Sequence, residues 1–494
     1  MDLFYTLDLS QNDYKFKYQA IYHFLRELIL EGKVQTGTRL PSSRVLASKY
    51  EVNRNTIKLV YEMLVADGYI STIEGSGTFV AYSPQNLNLI EKTNKKIQLS
   101  TRSQKIIDKK TQPPSKEKIE VDFRGSGFSP NITYFPLDDW KKTIYQAARD
   151  LNFLVVEEQY DIKGLPALRE AISSYLNRSR GMMIKPNQVV IINGIMQGIT
   201  ILSQLLIDVG DHVVVEEPSF TSIKNNFMTM GGELIPAPIE TQDFQVRDWE
   251  SRLIYVTPSH QFPTGKVMSI NQRINLLQWA KKHNSIIIED DYDSEFRRKG
   301  RSVEPLKVLD FEERVVFLGT FAKSILPSLR IGFAVLPPDL VDDFLKIRNL
   351  GGEYTTSILE QMAVGLFIKS GKFERHLRRL NRIYAQKYDV LLQAIKKYLS
   401  NAFEWNETDA GLHLFATWKH SAQDYIIFEN ECLVRGVVWE TANHYYINPP
   451  PQPKVIIGFA HLSDDDIIKG FQLMGEAFKA ISSTNDIERK RTLN

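Results

Sequence analysis

One lysine stands just past a buried-strand pattern: RVVFLGT (314–320) runs into FAKSILPSLRIG (321–332). Lys323 follows Thr320 by three residues and precedes Arg330 by seven. A lysine amine in such a place attacks a carbonyl and forms a Schiff base. A hydroxyl and a guanidinium, here Thr320 and Arg330, together suit a phosphate. A second strand-like run, IIIEDDYDSEF (286–296), ends in Asp290 and Asp291, with Tyr292 next. A carboxylate there can keep a ring nitrogen protonated, and the tyrosine can donate to a phenolate. A third run, VVIINGIMQGI (189–199), sets a glycine turn, Gly194 to Gln197, between a strand and a helix pattern. The backbone N–H groups at such a helix start, around Gly194, Ile195 and Met196, favour an anion. Phe220, in EEPSF past another strand, is available to stack on an aromatic ring.

An aldehyde, a pyridine nitrogen, a phenolic oxygen and a phosphate on one flat ring are the features of pyridoxal 5′-phosphate (PLP). The residue types above supply a partner for each. Singly, each is common. Their joint order is the informative part: glycine turn, aromatic, PTG at 263–265, Asp-x-Tyr, Thr-x-x-Lys, Arg. The nine histidines make no HExxH-like spacing, so no catalytic metal is expected.

These groups need a scaffold. At 494 residues the chain exceeds one ordinary core, so two or more domains are expected. Composition breaks at 83–118, a stretch dominated by Lys, Gln, Ser, Asn and Thr without helical or strand period. That reads as a polar, basic linker. From 119 to 485 apolar runs alternate with longer mixed segments, the pattern of an α/β domain with a largely parallel sheet. Ligands in such sheets sit at strand C-terminal ends, where Gly194, Phe220, Asp290 and Lys323 all fall. A net charge of +2 means any nucleic-acid site must be local. The single cysteine, Cys432, suits a reducing compartment. The N-terminus lacks a signal-peptide pattern, and no run reaches the ~18 apolar residues of a membrane span. A cytoplasmic location is expected.

Residues 12–82 follow another pattern. Ile21, Phe24, Leu25, Leu28 and Ile29 make one helical face, and Ile57, Val60, Tyr61 and Leu64 another. Serines before RVLASKY and Asn53 before RNTIK suit N-caps, and Gly68 suits a helix end. YISTI, EGSG and TFVAY then read as strand, turn, strand. Helix, helix, turn, helix and wing make a winged helix-turn-helix. Residues 33–58 carry Lys33, Arg39, Arg44, Lys49, Arg54 and Lys58 against one acid, Glu51. Arg54, Asn55, Thr56 and Lys58 lie on the first turns of the last helix, where side chains reach base edges and phosphates.

The first block resembles the GntR-type winged helix: YxxIYxxLRxxI, GTRLPSSRxLA, VxRNTIxxxYxxLxxDGYI and GSGTFV all occur between 18 and 80. Residues 121–480 resemble a fold-type I aminotransferase, through TPSHQFPTG (257–265), IIEDDYDSEF, GTFAKSILPSLRIG and DAGLHLF (409–415). The whole chain is therefore similar to the MocR/GabR family of PLP-dependent transcriptional regulators. That resemblance implies Lys323 as the Schiff-base lysine, Asp290 on the pyridine nitrogen and Tyr292 on the phenolic oxygen. It implies Arg330 and Thr320 at the phosphate and Phe220 on the ring. Family sites lie at a dimer interface, so Tyr160 of the partner subunit is implied too. Arg44, Arg54, Asn55, Thr56, Lys58 and the wing around Gly75 become contacts to double-stranded operator DNA.

Three positions depart from the pattern. Phe262 stands where simple aminotransferases have the Asn of NPTG, leaving His260 or Gln261 for the phenolic oxygen. Met196 stands where a hydroxyl often meets the phosphate, leaving only its N–H. Residues 436–488 contain no arginine to clamp an α-carboxylate, and Ile456 takes a usual position for it. His444 and Tyr445 are the remaining candidates for a small-molecule effector. The expected function is a PLP-dependent regulator sensing an amine, an amino acid-like effector or PLP itself. The alternative is a working aminotransferase with an accessory DNA-binding domain. A homodimer through the large domains is expected because the site needs Tyr160 of the partner subunit, and the 83–118 linker, reaching on the order of 100 Å when extended at ~3.3 Å per residue, allows a head-to-tail swap.

Overall fold

The computed structural model describes residues 2–9, 14–83, 98–100, 104, 107, 119–124, 131–151, 161–239, 244–300, 303–350 and 357–492. Tyr160 and most of the 83–118 linker lie outside them. The chain divides into two compact units, Met1–Ser100 and Thr101–Asn494.

In the first unit, α1 (Lys17–Leu30), α2 (Ser43–Lys49) and α3 (Arg54–Ala66) precede a hairpin of β1 (Ile70–Ile73) and β2 (Gly77–Val80). Its core joins Ile21, Leu25, Leu28 and Ile29 of α1 to Leu46 of α2 and to Ile57, Val60 and Leu64 of α3. Phe24 is only half-buried; Tyr22 takes the buried place on α1. Local chemistry sets the helix starts. The Ser42 side chain accepts from Val45 N, and Asn53 Oδ1 accepts from Asn55 N at 2.9 Å. Gly68, at φ +78, turns the chain out of α3 into β1, a conformation that costs glycine little.

The second unit begins with β3 (Val121–Asp122) and is built on a seven-stranded sheet. Its strands are β4 (Val189–Ile192), β5 (His212–Glu217), β6 (Glu233–Pro238), β7 (Leu253–Val256), β8 (Ile286–Asp291), β9 (Val315–Thr320) and β10 (Gly332–Val335). Their order is β4-β10-β9-β8-β7-β5-β6, with β10 antiparallel to both neighbours and the other pairs parallel. The strands are apolar on both faces because both are covered. Val213 and Val215 pack in one cluster with Ile199 and Phe227, while Val214 packs in another with Leu276 and Trp279.

A smaller antiparallel sheet comes next, from β11 (Phe403–Trp405) and β12 (His413–Trp418) to β15 (Lys454–Gly458) and β14 (Glu440–Thr441). Beside it β13 (Val437–Val438) pairs in parallel with β3. Among the described residues no helix is long and apolar enough to cross a membrane.

Strand direction gathers the chemistry-bearing residues on one side of the large sheet. β4, β5, β7, β8 and β9 all end on one edge. β10 runs the other way, so the residues before it, Arg330 and Ile331, lie on that same edge.

Candidate functional site

Gly332 sits opposite Thr320 on one side and Ile192 on the other. A Cβ at Gly332 would lie 3.0 Å from Gly319 O and 3.1 Å from Gly194 Cα. That close approach draws the turn after β4 against the end of β9. Gly194, at φ +78, caps the helix Ile195–Leu206, and Ile195 and Met196 are its first two residues. The Met196 side chain packs against the apolar core. Arg330 takes a left-handed φ of +52, uncommon for a residue with a side chain. Its guanidinium lies 3.7 Å from where a Gly194 Cβ would be. Arg330 is exposed and has no ion pair or hydrogen bond among the described residues. A cation beside the positive end of a helix repels it until an anion joins them. Thr320 Oγ1 accepts from Ala322 N at 3.1 Å and keeps its own proton to donate.

The next groups come from β8 and from the turn after β9. Lys323 Nζ stands 4.5 Å from the Tyr292 ring centroid. Burial holds its amine below the ordinary lysine range, against the pull of Asp293 and Asp290. Tyr255 OH, from β7, donates to Asp290 Oδ2 at 2.6 Å. Asp290 Oδ1 is buried with no hydrogen-bond partner among the described residues. Burial pushes this carboxyl up to about 7; Asp291 adds to the rise, while Tyr255 and Lys323 oppose it. An unmatched buried acceptor costs roughly 1–3 kcal/mol. Oδ1 therefore calls for an N–H donor, as a pyridinium supplies. The residues present fit PLP: an amine, an orphan carboxylate oxygen and a phosphate corner converge on one sheet edge.

Rings surround them. Phe220 and Phe262 stack face to face, with centroids 3.7 Å apart and planes within 6°. Tyr292 meets both edge-on, at 5.5 and 5.9 Å. Tyr445 meets Phe262 edge-on at 5.0 Å, and His413 at 5.6 Å. One face of Phe220 is thus taken by Phe262, and the opposite face is the one a further ring can meet.

His260 and Gln261 separate clearly. Gln261 Nε2 donates to Pro218 O at 2.9 Å, and its Oε1 accepts from Thr264 Oγ1 at 2.6 Å. Its amide braces the loop. His260 Nδ1 lies 2.8 Å from Asp293 Oδ1 and 3.0 Å from Tyr292 OH. With the Nδ1 proton directed to Asp293, the Tyr292 hydroxyl proton is left to point elsewhere. Burial works against the Asp293 charge, yet His260 beside it keeps this carboxyl below its usual range. Gly411 makes room for the imidazole: a Cβ there would fall 2.1 Å from His260 Cε1.

His444 and Tyr445 lie side by side, with ring centroids 3.9 Å apart, but differ in burial. His444 is exposed, with Nε2 3.2 Å from Glu440 Oε1. Tyr445 is half-buried against Phe262, and its carbonyl accepts from Ser219 N at 3.0 Å and from Lys224 Nζ. Ile456 is fully buried in β15, opposite Phe415 and Glu440. Sequence reasoning missed Tyr255, Asp293 and His413. Tyr255 had a signal, as the one polar side chain in LIYV; the other two become informative only beside His260.

In the first unit Arg44, Arg54, Asn55 and Lys58 are exposed and Thr56 is half-buried. Arg54 Nε donates to Ser43 Oγ at 3.4 Å, linking α3 to the start of α2. Gly75 is exposed at the hairpin tip with φ +74.

Fold and site together define a class: a gene regulator whose winged-helix head is fused to a fold-type I aminotransferase-like body. Residues 17–80 match the bacterial regulatory proteins of the gntR family, and residues 128–465 match aminotransferase class I and II. The probable rhizopine catabolism regulatory protein MocR of Rhizobium meliloti is 34% identical over 96% of this chain and 96% of its own length. The pyridoxine biosynthesis transcriptional regulator PdxR of Corynebacterium glutamicum is 26% identical over 90% of this chain and 92% of its own. Among solved structures, the multiple substrate aminotransferase of Thermococcus profundus aligns with a TM-score of 0.69 and 20% identity, over 78% of this chain and 98% of its own. The kynurenine aminotransferase of Pyrococcus horikoshii aligns at 0.68 and 21%, over 76% and 96%. The chain belongs to the MocR-type family of HTH transcriptional regulators, DNA-binding proteins with an aminotransferase class I and II domain.

Proposed function

We propose that the aminotransferase-like domain holds PLP at this sheet edge and reports a small molecule to the DNA-binding head. The observation that carries the reading is the convergence of groups with no hydrogen bond or ion pair among the described residues: the Lys323 amine, Asp290 Oδ1, and the Arg330 guanidinium at the start of the helix Ile195–Leu206. When bound, the cofactor supplies an electrophilic aldehyde carbon and an electron-withdrawing ring. The chain's own residues do the rest. Lys323, its amine lowered toward the neutral form, offers a lone pair to the aldehyde. Asp290 Oδ1 keeps a proton on the ring nitrogen, with Tyr255 fixing the other oxygen. Tyr292, set by His260, donates to the phenolic oxygen. Arg330, Thr320 and the N–H groups around Gly194, Ile195 and Met196 hold the phosphate, and the Phe220–Phe262 pair flanks the ring.

The ligand sensed is a small amine, an amino acid-like effector or PLP itself, with Tyr445 and His444 at its contacts. Turnover needs an amino acid clamped and turned twice, while sensing needs one binding event that prefers one state. Ile456 and an arginine-free 436–488 favour sensing. In the head, Arg44, Arg54, Asn55, Thr56, Lys58 and Gly75 form the contacts to double-stranded operator DNA. Two chains pair through their large domains, head-to-tail, with Tyr160 of the partner subunit completing the pocket.

The test is a titration of dialysed protein with PLP, following visible absorbance and DNA retention together, then repeated with candidate amines. Wild type gains a lysine-bound band that sodium borohydride fixes to the chain, and its DNA retention changes with occupancy. Lys323→Ala keeps its fold and loses the band. A band that survives in Lys323→Ala puts the cofactor on another lysine.

A further inference from the structure

The small antiparallel sheet turns one face toward the site, and register shows which residues it carries. His413 and Phe415 are two apart on β12, so their side chains share a face. Phe415 pairs with Ile456 on β15, and Ile456 pairs with Glu440 on β14, which puts all four on that face. His413 stands 5.6 Å from the Phe262 ring, so this is the face that meets the aromatic cluster. Ile456 fills the place where a clamp arginine is usual, and directly across the pair lies an acid.

The charges around Glu440 balance one another and leave its own unmatched. His444 Nε2 lies 3.2 Å from Glu440 Oε1. Burial and the nearby Lys224 hold this imidazole below its ordinary range, so near pH 7 it meets the acid as a neutral group. The Tyr445 hydroxyl is a second neutral donor to it. Arg124 acts on Glu440 through space, but its guanidinium is held by Asp122 through hydrogen bonds of 3.0 and 2.8 Å. Lys224 is buried beside Glu217, whose charge it favours. Burial raises the Glu440 carboxyl above its usual range; Arg124 opposes the rise, Asp122 adds to it, and Tyr445 opposes it. A line of contacts joins this acid to the lysine. Lys323 Nζ is 4.5 Å from the Tyr292 ring, Tyr292 meets Phe262 at 5.9 Å, Phe262 meets Tyr445 at 5.0 Å, and Tyr445 reaches Glu440.

We propose that Glu440 determines the specificity of the effector site, and that the effector is a small amine whose far end is cationic and carries no carboxylate. An arginine beside this sheet face would attract a carboxylate. An acid in its place repels one and offers an ammonium a charge-assisted hydrogen bond. One amine of such a ligand lies toward Lys323 and the other meets Glu440, with the rings of Phe262 and Tyr445 along the apolar chain between them. The inference rests on the PLP-holding site proposed above and names the class of molecule sensed there.

The test uses full-length protein loaded with PLP and two matched series of probes, of four and of six carbons. Each series has an alkylamine, an amino alcohol, a diamine and an amino acid with its carboxylate at the far end. Binding is read twice, as a change in the lysine-bound absorption band and as a shift in thermal melting of the large domain. In wild type the diamine of at least one series is expected to bind about tenfold or more tighter than its alkylamine, and the amino acid weaker than both. In Glu440→Gln the ratio of diamine to alkylamine affinity should fall to near unity, and the amino acid should gain. Glu440→Asp keeps the charge and should keep the diamine preference. A loss shared equally by every probe would make Glu440 a packing residue and overturn the proposal. A wild type that binds no probe, or takes the amino acid as tightly as the diamine, overturns it too. Absence of the lysine-bound band in wild type overturns the cofactor reading, and this inference with it; a band with the wrong ranking overturns this inference alone. Should Glu440→Gln melt early, the wild-type ranking and Glu440→Asp still decide.

Discussion

Asp290 shows how one buried atom ties stability to the site. Its carboxyl stands at about 7, against an ordinary 3.8, chiefly because burial disfavours its charge. The folded chain therefore keeps a proton there that the unfolded chain releases. The associated stabilisation is complete below the ordinary value and is lost as pH rises through about 7. Glu216 and Glu289, also buried, are pushed to about 7 by the same cause, so the window belongs to several groups. A difference measurement isolates one of them. In cofactor-free protein, wild-type stability relative to Asp290→Asn should fall between pH 4 and 7 and flatten above, read by urea unfolding of the large domain. A difference that stays constant across that range would mean Asp290 is already ionised and matched by another donor.

At the scale of elements, α3 is the informative case. Its start is fixed by Asn53, and its first turns present Arg54, Asn55 and Lys58 to solvent while Ile57, Val60 and Leu64 face the core. One helix therefore separates packing from recognition by face alone. Arg54→Ala should leave the head's thermal melting close to wild type, since the removed charge is exposed. It should cost about 1–3 kcal/mol on a duplex enriched from a random pool by wild type and relax the preference for it over scrambled sequence. Cofactor binding should be unaffected, because the change lies in the other compact unit. Wild-type affinity and discrimination in this variant would remove α3 from the major groove. In the large domain the equivalent element is β10. Its reversed direction brings Arg330 to the edge where the six other strands end, which a seventh parallel strand would not do.

For the whole molecule, the proposed function requires that a small-molecule site in one unit change DNA binding by the other. The proposed assembly is a dimer through the large domains with each head carried on a long polar linker. Sedimentation at micromolar concentration should give a dimer, with or without PLP. Shortening the 83–118 linker by about ten residues should disturb DNA affinity or its response to PLP, because the reach of the tether limits how both heads are held. Both quantities unchanged would make the linker an idle tether. A monomer would end the head-to-tail scheme and leave Tyr160 without a role in the partner's pocket.

The sequence by itself determined the two-unit plan, the residue types and the local geometry. Caps at Ser42 and Asn53, the turn at Gly68 and the helix start at Gly194 were legible because each depends on neighbours within a few residues. The motifs named Lys323, Asp290, Tyr292, Thr320 and Arg330 because the chemistry restricts which side chains serve. Tertiary structure decided what meets what. The strand order β4-β10-β9-β8-β7-β5-β6 differs from the chain order, so Gly194 meets Arg330 only once β10 inserts between β4 and β9. Tyr255 reaches Asp290 only because β7 lies beside β8 in register. His260, and not Gln261, stands at Tyr292 because the loop after β7 folds with Gln261 turned inward to Pro218 and Thr264. Phe262 stacks on Phe220, and Arg39 crosses the wing at Gly77, through contacts between segments far apart in sequence. Those pairings arise from packing both faces of a sheet and from hydrogen bonds between distant strands, and no window of neighbouring residues encodes them.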